Sequence, residues 1–370
     1  MSRLVEQGAP GGYGALDDGA GPQPAGSFPW LTAGLVDLQV NGYAGIDFND
    51  AAITGDRLDV ALAAMLADGV AVCLPTVITA EAGILEERMT ALDRAVAQSR
   101  LGPVMVPGFH LEGPFLNPAD GYAGCHPPAA MHAASIPQVA GLCRRLARPI
   151  LLLTLAPERP GALDLARWAA GEGMLVAMGH TAAMHTDVTA AAEAGVRLST
   201  HLGNGLPHQL HKLDNPLMAQ LAEDRLFASF IADGIHLPPF ALKAMIRAKG
   251  PDRSVLVTDA VSAAAAPAGL YDFAGMAIER SAEGAVRKPG HGYLAGSALQ
   301  MADALRNIVR WGIADRRSAL RMASANPRRL LEPGLARHNI TLPPSAVAWD
   351  ENLNILWSEA GRLRCEPGAG

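Results

Sequence analysis

Eight short apolar runs recur along the chain, and each is followed by a loop with Gly or Pro and by a longer Ala-rich amphipathic stretch. The runs are rich in Val, Leu and Ile and cover residues 35–40, 70–77, 104–109, 150–155, 174–178, 196–200, 227–232 and 254–258. Strands that alternate with helices at this spacing pair in parallel, and eight of them favour a closed barrel over an open sheet. The sequence therefore predicts an α/β fold of the (β/α)8 TIM-barrel type.

The chain is longer than one such barrel needs. Its 370 residues exceed the roughly 250 of a single (β/α)8 barrel, and strand-like sequence resumes at residues 346–349 and 353–357. We expect residues 31–335 to form the barrel and residues 336–370 to form the C-terminal part of a small β-sandwich domain. Residues 1–30, which are rich in Gly, Ala and Pro, are expected either to be poorly ordered or to complete that domain in a reduced form.

Charge and hydropathy exclude several classes of partner. The formal net charge is -6 and only 18% of residues are charged, so the basic surface that nucleic acid or an anionic membrane selects is not expected. No apolar stretch reaches the roughly 18 residues of a membrane span, and the N-terminus lacks a signal-peptide pattern. The four cysteines form no C-x-x-C pair. We therefore expect a cytoplasmic protein.

Polar residues at the ends of the apolar runs are the candidates for chemistry, because catalytic side chains of such barrels project from the C-terminal ends of the strands. Glu112, His180 and His201 occupy such positions. One carboxylate and two imidazoles form the three-ligand set, with an open fourth position, of a hydrolytic zinc site. We predict one divalent metal there, with Zn²⁺ first and Fe²⁺, Co²⁺ or Mn²⁺ as alternatives that the same ligands accept.

Further polar residues lie at or near other run ends. Asp259 follows the eighth run, where a carboxylate beside a metal can take a proton from water and deliver it to a leaving amine. The loops that carry His126 and His236 are expected to overhang the same barrel mouth, where either imidazole could polarise a substrate carbonyl. The remaining run-end candidates are Gln39, Asn41, His110 and Asp233. This pattern predicts a metal-dependent amide hydrolase.

Ten short motifs occur in the order found in one enzyme family. They are GLVDLQVNG (34–42), LPT (74–76), HLEGP (110–114), LAPE (155–158), GHT (179–181), THLGN (200–204), ADGIH (232–236), VTDA (257–260), LAGS (294–297) and NPRR (326–329). On these motifs the chain resembles the N-acetylglucosamine-6-phosphate deacetylases of the amidohydrolase superfamily. The resemblance implies a TIM-barrel enzyme, forming a homodimer, that removes the acetyl group from the nitrogen of an amino sugar.

The resemblance also implies roles for individual residues. Metal ligation falls to Glu112, His180 and His201, and the acid–base role to Asp259, in agreement with the run-end positions. The implied substrate contacts come from His126, Asn204, Gly205, His236, and the backbone of Leu294, Ala295 and Gly296.

The chain departs from the family pattern at three places. Many relatives carry His-x-His after the first strand, whereas this chain has Gln39 and Asn41, whose amide oxygens are poor zinc ligands beside imidazole; a single metal is predicted. The family usually places a phosphate-gripping Arg, lent across the dimer, in the loop after His201, but residues 205–216 contain no Arg. Residues 120–122 are inserted before His126. Recognition of the 6-phosphate is therefore left open.

Two alternatives follow from these departures. The same barrel and metal could serve a non-phosphorylated N-acyl or cyclic amide substrate. The chain could also be an inactive homologue that only binds a ligand, although ligand binding alone does not require an acid–base group at Asp259.

Overall fold

The computed structural model describes residues 3–6, 30–290 and 292–366, and an eight-stranded parallel sheet curved into a near-closed barrel lies at its centre. The strands follow one another in chain order around the sheet. They are β1 (Leu35–Val40), β2 (Val70–Ile78), β3 (Phe109–Glu112), β4 (Ile150–Leu155), β5 (Leu175–Met178), β6 (Val196–Ser199), β7 (Phe227–Phe230) and β8 (Ser254–Leu256). The predicted barrel class is confirmed.

Helices cover the outside of this sheet. They are α1 (Gly55–Ala67), α2 (Ala82–Gln98), α3 (Gly102–Met105), α4 (Ile136–Arg145), α5 (Ala162–Gly171), α6 (His185–Glu193), α7 (Pro216–Ala222), α8 (Pro239–Lys249), α9 (Met301–Arg310), α10 (Arg316–Leu320) and α11 (Asn326–Arg337). Because the helices cover one face and the barrel interior is filled by side chains, all nine residues of β2 are buried. No helix within the described ranges has both the length and the apolar character needed to cross a bilayer.

The third apolar run was expected to be a strand over residues 104–109, and this prediction is wrong. The structure has a helical turn at Gly102–Met105, and β3 begins only at Phe109. Pro103 favours the first turn of a helix, and Pro107 has no N–H to donate to a strand ladder. Glu112 is consequently the last residue of β3 instead of a loop residue after it.

The barrel closes between β1 and β8 through a few specific hydrogen bonds, which we call the seam. The amide of Asp259 donates to the carbonyl of Gln39 (2.9 Å), and the amide of Asn41 donates to the carbonyl of Ala260 (2.7 Å). Below them, the Thr258 hydroxyl donates to Asp37 Oδ2 (2.5 Å) and the Thr258 amide donates to Oδ1 (3.2 Å). Burial raises the pKa of Asp37 to about 7. The seam places Asp259 at the C-terminal mouth of the barrel.

Both ends of the described chain contribute to a separate small antiparallel sheet, as the sequence predicted. Its five strands are, in spatial order, Arg3–Glu6, Leu363–Glu366, Ile355–Ala360, Ser345–Trp349 and Trp30–Thr32. The indole of Trp349 is fully buried and donates to Thr32 Oγ1 (2.8 Å). Most of the segment 1–30, including residues 7–29, lies outside the described residues, so the expectation for that segment stays a prediction.

A second small sheet follows β8. It consists of the antiparallel strands Gly269–Phe273, Met276–Arg280 and Val286–Arg287. The segment after it, at Ala295, returns to the barrel beside Asp259 through a hydrogen bond from the amide of Ser297 to the Asp259 carbonyl (2.9 Å).

We predict that Thr258→Val weakens the seam. Valine keeps the shape of threonine but removes the hydroxyl that donates to the buried Asp37 carboxylate, so an acceptor is left without its partner. We expect the free energy of unfolding to fall by about 1–3 kcal/mol. Urea unfolding followed by circular dichroism measures this loss.

The matched control is Thr90→Val, where the hydroxyl donates only to carbonyls of its own helix, those of Glu86 (2.8 Å) and Glu87 (3.1 Å). This variant is expected to change stability by less than about 0.5 kcal/mol. Equal effects of the two substitutions would show that the seam bond is no stronger than an ordinary surface contact.

Candidate active site

Four side chains that the sequence singled out meet at the C-terminal mouth of the barrel. Glu112 is the last residue of β3, His180 and His201 each follow their strands by two residues, and Asp259 follows β8 by three. Because the strands are parallel, their C-terminal ends lie at one edge of the barrel. Glu112, His180 and His201 are almost completely buried, and Asp259 is partly buried.

Three of these residues share an uncommon backbone conformation. His180, His201 and Asp259 have φ angles of 50°, 31° and 48°. Residues other than glycine rarely adopt positive φ angles, because the conformation is strained. Such strain persists where surrounding contacts hold the backbone, and it is concentrated at functional sites. Here the His201 amide donates to Ser229 Oγ (2.7 Å), and the seam holds Asp259.

The possible metal-ligand atoms of Glu112, His180 and His201 form a small triangle. His201 Nε2 lies 3.1 Å from His180 Nε2 and 3.2 Å from Glu112 Oε1, and His180 Nε2 lies 3.7 Å from the same Oε1. Ligand atoms placed tetrahedrally around Zn²⁺ at about 2.0–2.1 Å are separated by roughly 3.3–3.5 Å. The triangle therefore fits a divalent metal ion.

Hydrogen bonding and burial leave these imidazoles in the form that binds metal. His180 Nδ1 lies 2.7 Å from the carbonyl oxygen of Tyr122, which can only accept, so the proton lies on Nδ1 and the lone pair on Nε2. Burial, with the neighbouring His201, lowers the pKa of His180 to about 4. Burial also lowers the pKa of His201. Neutral imidazoles beside a carboxylate are zinc ligands.

His126 forms a second possible set with two of these residues. The ligand atoms of Glu112, His126 and His180 all lie within 4.8 Å of one another. His126 Nε2 is 3.6 Å from Glu112 Oε2, whereas His201 lies 3.2 Å from Oε1, the oxygen nearer to His180. The shorter distances and the shared oxygen favour His201 as the third ligand. His126 instead faces the other side of the carboxylate, with Nδ1 2.9 Å from Thr79 Oγ1.

The amides of Gln39 and Asn41 hold the carboxylates of the site. Asn41 Nδ2 donates to Asp259 Oδ1 (2.8 Å), and Gln39 Nε2 lies within donating distance of Asp259 Oδ1 (3.2 Å) and Glu112 Oε1 (3.0 Å). Carboxylate oxygens accept, so both amides direct nitrogen atoms into the site. Their orientation is not that of metal ligands. Burial raises the pKa of Asp259 to about 6.

The structure brings the expected substrate contacts to the same mouth. Asn204 Nδ2 donates to the carbonyl of His201 (3.0 Å), and Gly205 borders His180 so closely that an added Cβ would lie 2.8 Å from Nδ1. His236 is anchored by Asp233, with Nδ1 2.6 Å from Oδ2.

The last three expected contacts, Leu294, Ala295 and Gly296, precede Ser297, which bonds to the backbone of Asp259. Gly296 itself lies against Val261 and the carbonyl of Asp259, where an added Cβ would be 2.3 Å and 3.3 Å away, respectively. This segment therefore borders the acid–base candidate.

His110 was a run-end candidate, but the structure places it inside the barrel. It is fully buried and held between two threonines, with Nδ1 3.1 Å from Thr76 Oγ1 and Nε2 2.8 Å from Thr154 Oγ1. Side chains two residues apart on a strand point to the same face, so His110 lies one layer below Glu112. It supports the site from beneath.

Sequence reasoning assigned no role to three residues that organise the site. Glu158 accepts hydrogen bonds from Asn117 Nδ2 (2.9 Å), the amide of Ala182 (2.7 Å) and the hydroxyl of Thr181, and so ties together the loops after β3, β4 and β5. Its motif, LAPE, was the available signal. Thr79 contacts His126, and Tyr122 acts through its backbone carbonyl, for which the side-chain type gives no signal.

Comparison with known proteins identifies relatives that match most of the chain. It is 33% identical over 335 residues to N-acetylgalactosamine-6-phosphate deacetylase of Escherichia coli O157:H7, an alignment that covers 88% of this chain and 86% of the relative. N-acetylglucosamine-6-phosphate deacetylase of Bacillus subtilis strain 168 is 31% identical over 280 residues, covering 75% and 69% of the two chains. A scan against protein-family models gives no match.

Solved structures give the same result. One is a mutant of N-acetyl-D-glucosamine-6-phosphate deacetylase from Mycobacterium smegmatis in complex with N-acetyl-D-glucosamine-6-phosphate. It superimposes with a TM-score of 0.79 at 27% sequence identity, and the match covers 89% of this chain and 85% of that one.

Proposed function

Because the chain belongs to the N-acetylglucosamine-6-phosphate deacetylase family of the amidohydrolase superfamily, we propose that it removes the acetyl group from an N-acetylhexosamine 6-phosphate. The observation that carries the proposal is the meeting of Glu112, His180, His201 and Asp259 at the mouth of a barrel shared with such deacetylases. The comparisons do not favour a cyclic amide, an N-acyl amino acid or a silent homologue.

We propose that Glu112, His180 and His201 hold one divalent metal, with Zn²⁺ the ion best suited to this mixed N and O donor set. When bound, the ion supplies Lewis acidity, which lowers the pKa of water and polarises a carbonyl oxygen. The amides of Gln39 and Asn41 stand where a second ion would need ligands, and they donate to carboxylates, which supports a single metal.

Asp259 is proposed to move the proton in the reaction. Gln39 and Asn41 both contact its Oδ1, which leaves Oδ2 for proton transfer. Asp259 accepts a proton as water adds to the acetyl carbonyl and returns it to the nitrogen as the C–N bond breaks, giving acetate and the free amine. The pKa near 6 suits a group that must both accept and donate a proton at neutral pH. His126 and His236 are proposed to contact the substrate.

The phosphate is proposed to meet the loop after β6, residues 205–216, which carries basic side chains other than Arg. His208, His211 and Lys212 are exposed in this loop. His208 stacks on Tyr293, with 6.3 Å between ring centroids, and thereby joins this loop to the segment beside Asp259. Lys212 can supply positive charge, and the imidazoles can donate hydrogen bonds to a phosphate dianion.

We predict that the chain hydrolyses N-acetylglucosamine 6-phosphate or N-acetylgalactosamine 6-phosphate in preference to N-acetylglucosamine. Each charge-assisted hydrogen bond to the phosphate is worth about 1.5–3 kcal/mol, so one such bond gives a roughly 10- to 100-fold higher kcat/KM. Acetate release from equal concentrations of these sugars and of an N-acyl amino acid measures the preference. Turnover of the amino acid alone would overturn the sugar assignment.

We predict that Asp259→Asn and His201→Asn separate proton transfer from metal binding. Asp259→Asn should lower kcat by about 10²- to 10⁴-fold with unchanged metal content, because only the acid–base group is lost. His201→Asn should lose the metal and the activity together. Metal content by elemental analysis and acetate release are measured on the same samples.

His126→Asn is the control for the ligand assignment. It should retain about one ion per chain while its kcat/KM falls, because His126 is proposed to contact the substrate. If His126→Asn loses the ion and His201→Asn keeps it, the third ligand is His126 and the assignment is reversed.

A second copy of the chain is proposed as the partner, as the family resemblance implies. Three large apolar side chains near the mouth are exposed: Leu213 before α7 (67%), Met218 in α7 (44%) and Phe240 in the first turn of α8 (79%). Helices α7 and α8 pack on each other. We propose that these side chains form part of the surface that the second copy covers.

We predict that Phe240→Asp converts a dimer into a monomer, because a buried unpaired carboxylate opposes association at an apolar interface. Size-exclusion chromatography with light scattering gives the mass. Leu270→Asp is the control, since Leu270 is 71% exposed but lies in the small sheet after β8. A wild-type monomer, or dissociation of both variants alike, would contradict this interface.

A further inference from the structure

The imidazole of His180 lies against glycines of two different loops. A Cβ added at Gly205 would lie 2.8 Å from Nδ1 and 3.1 Å from both Cε1 and Cγ. A Cβ added at Gly124, on the loop after β3, would lie 3.0 Å from Cε1 and 3.4 Å from Nδ1. Real Cβ atoms essentially never approach within 3.0 Å of other atoms. Only glycine therefore leaves the ring in place at Gly205.

The same loops make two further contacts that complete this arrangement. The carbonyl of Tyr122, in the loop after β3, accepts from His180 Nδ1 (2.7 Å). The loops also touch each other, because a Cβ added at Gly121 would lie 2.6 Å from Cα of Pro207. We call Gly121, Tyr122, Gly124, Gly205 and Pro207 the collar.

We propose that the collar is a positioning device for the metal ligand His180, fixing the plane of its ring and the tautomer that presents Nε2 to the ion. This inference rests on the proposed metal site and adds to it residues that touch neither metal nor reacting atoms through their side chains. Residues 120–122, which the sequence predicts to be an insertion, thereby acquire a role.

The ring cannot move without weakening its Nδ1 hydrogen bond or changing the direction of Nε2. The Tyr122 carbonyl holds Nδ1, and both glycines lie against the Nδ1–Cε1 edge of the ring. A methyl group at Gly205 must therefore lengthen the Nδ1 hydrogen bond or turn the Nε2 lone pair away from Glu112 Oε1 and His201 Nε2. A methyl group at Gly124 presses on the same edge at a longer distance. Loss of such supporting contacts to a metal ligand costs about 10- to 100-fold in metal affinity.

The chain offers a matched control for the backbone. Gly124 and Gly205 have φ angles of +59° and +61°, where alanine is strained whatever its surroundings. Gly312 has the same φ of +59°, and an added Cβ there meets no atom of the described residues within 4 Å. Gly312→Ala thus carries the backbone strain without contact to His180.

The experiment compares the metal-free forms of the full-length wild type, Gly205→Ala, Gly124→Ala and Gly312→Ala. Each is titrated with Co²⁺ in competition with a chelator, the visible absorption of the bound ion is recorded, and thermal unfolding of the metal-free protein is measured. Co²⁺ accepts the same ligands as Zn²⁺, and its visible spectrum reports the arrangement of those ligands.

We expect Gly205→Ala to bind Co²⁺ about 10- to 100-fold more weakly than Gly312→Ala and to show a shifted spectrum. Gly124→Ala should change in the same direction by a smaller factor, because its contact is longer. The three metal-free variants should unfold at similar temperatures, since they share the backbone strain.

The outcomes separate this inference from the proposed function. Wild-type protein that binds no Co²⁺ would overturn the metal site itself. Wild-type binding with Gly205→Ala equal to Gly312→Ala in affinity and spectrum would overturn the collar alone. If Gly205→Ala does not fold, Gly124→Ala decides: weaker binding with a shifted spectrum supports the collar, and unchanged binding overturns it.

Discussion

The hydrogen bond between the Thr258 hydroxyl and the buried Asp37 carboxylate is the contact on which the active site depends. It links the first and last strands of the barrel where β8, only three residues long, offers little ladder of its own. Burying a carboxylate is unfavourable, and the raised pKa of Asp37 records that cost. Asp37 shares its strand with Gln39, and Thr258 precedes Asp259, so the bond that closes the barrel also places the Asp259 carboxylate beside the Gln39 amide.

The Gln39 side chain then connects the two carboxylates of the site. Its amide nitrogen contacts both Asp259 and Glu112, and the negative charge of Glu112 contributes to the raised pKa of Asp259. Two neighbouring carboxylates such as these repel each other unless hydrogen-bond donors or a cation lie between them. In this chain the neutral amide donors of Gln39 and Asn41 contact these carboxylates. Glu112 and Asp259, the proposed metal ligand and the proposed proton carrier, are therefore linked through a neutral amide.

The periodicity of the sequence was sufficient to predict the barrel, because strands buried on both faces read as continuous apolar runs. It was also sufficient to bring Glu112, His180, His201 and Asp259 together, since residue type and strand-end position jointly define them, although their roles stay a prediction. The start of β3 was misplaced because an apolar run does not reveal how Pro103 and Pro107 act on the backbone. His110 was chosen as a run-end candidate for a related reason. Strand alternation predicts that its side chain points into the barrel, but not how far below the mouth it lies.

The contacts that the sequence could not reveal are those made by backbone atoms, or made possible because glycine has no side chain. The collar acts through the carbonyl of Tyr122 and the absent side chains of Gly124 and Gly205, and neither leaves a chemical signature in a single sequence. This has a consequence for specificity. The loop that presents His208 and Lys212 to the solvent begins at Gly205, against a metal ligand, so changes that adapt it to another sugar or anion must keep its first residues fixed. Within this loop, changes in substrate recognition are therefore expected beyond Pro207, where the loop leaves the collar.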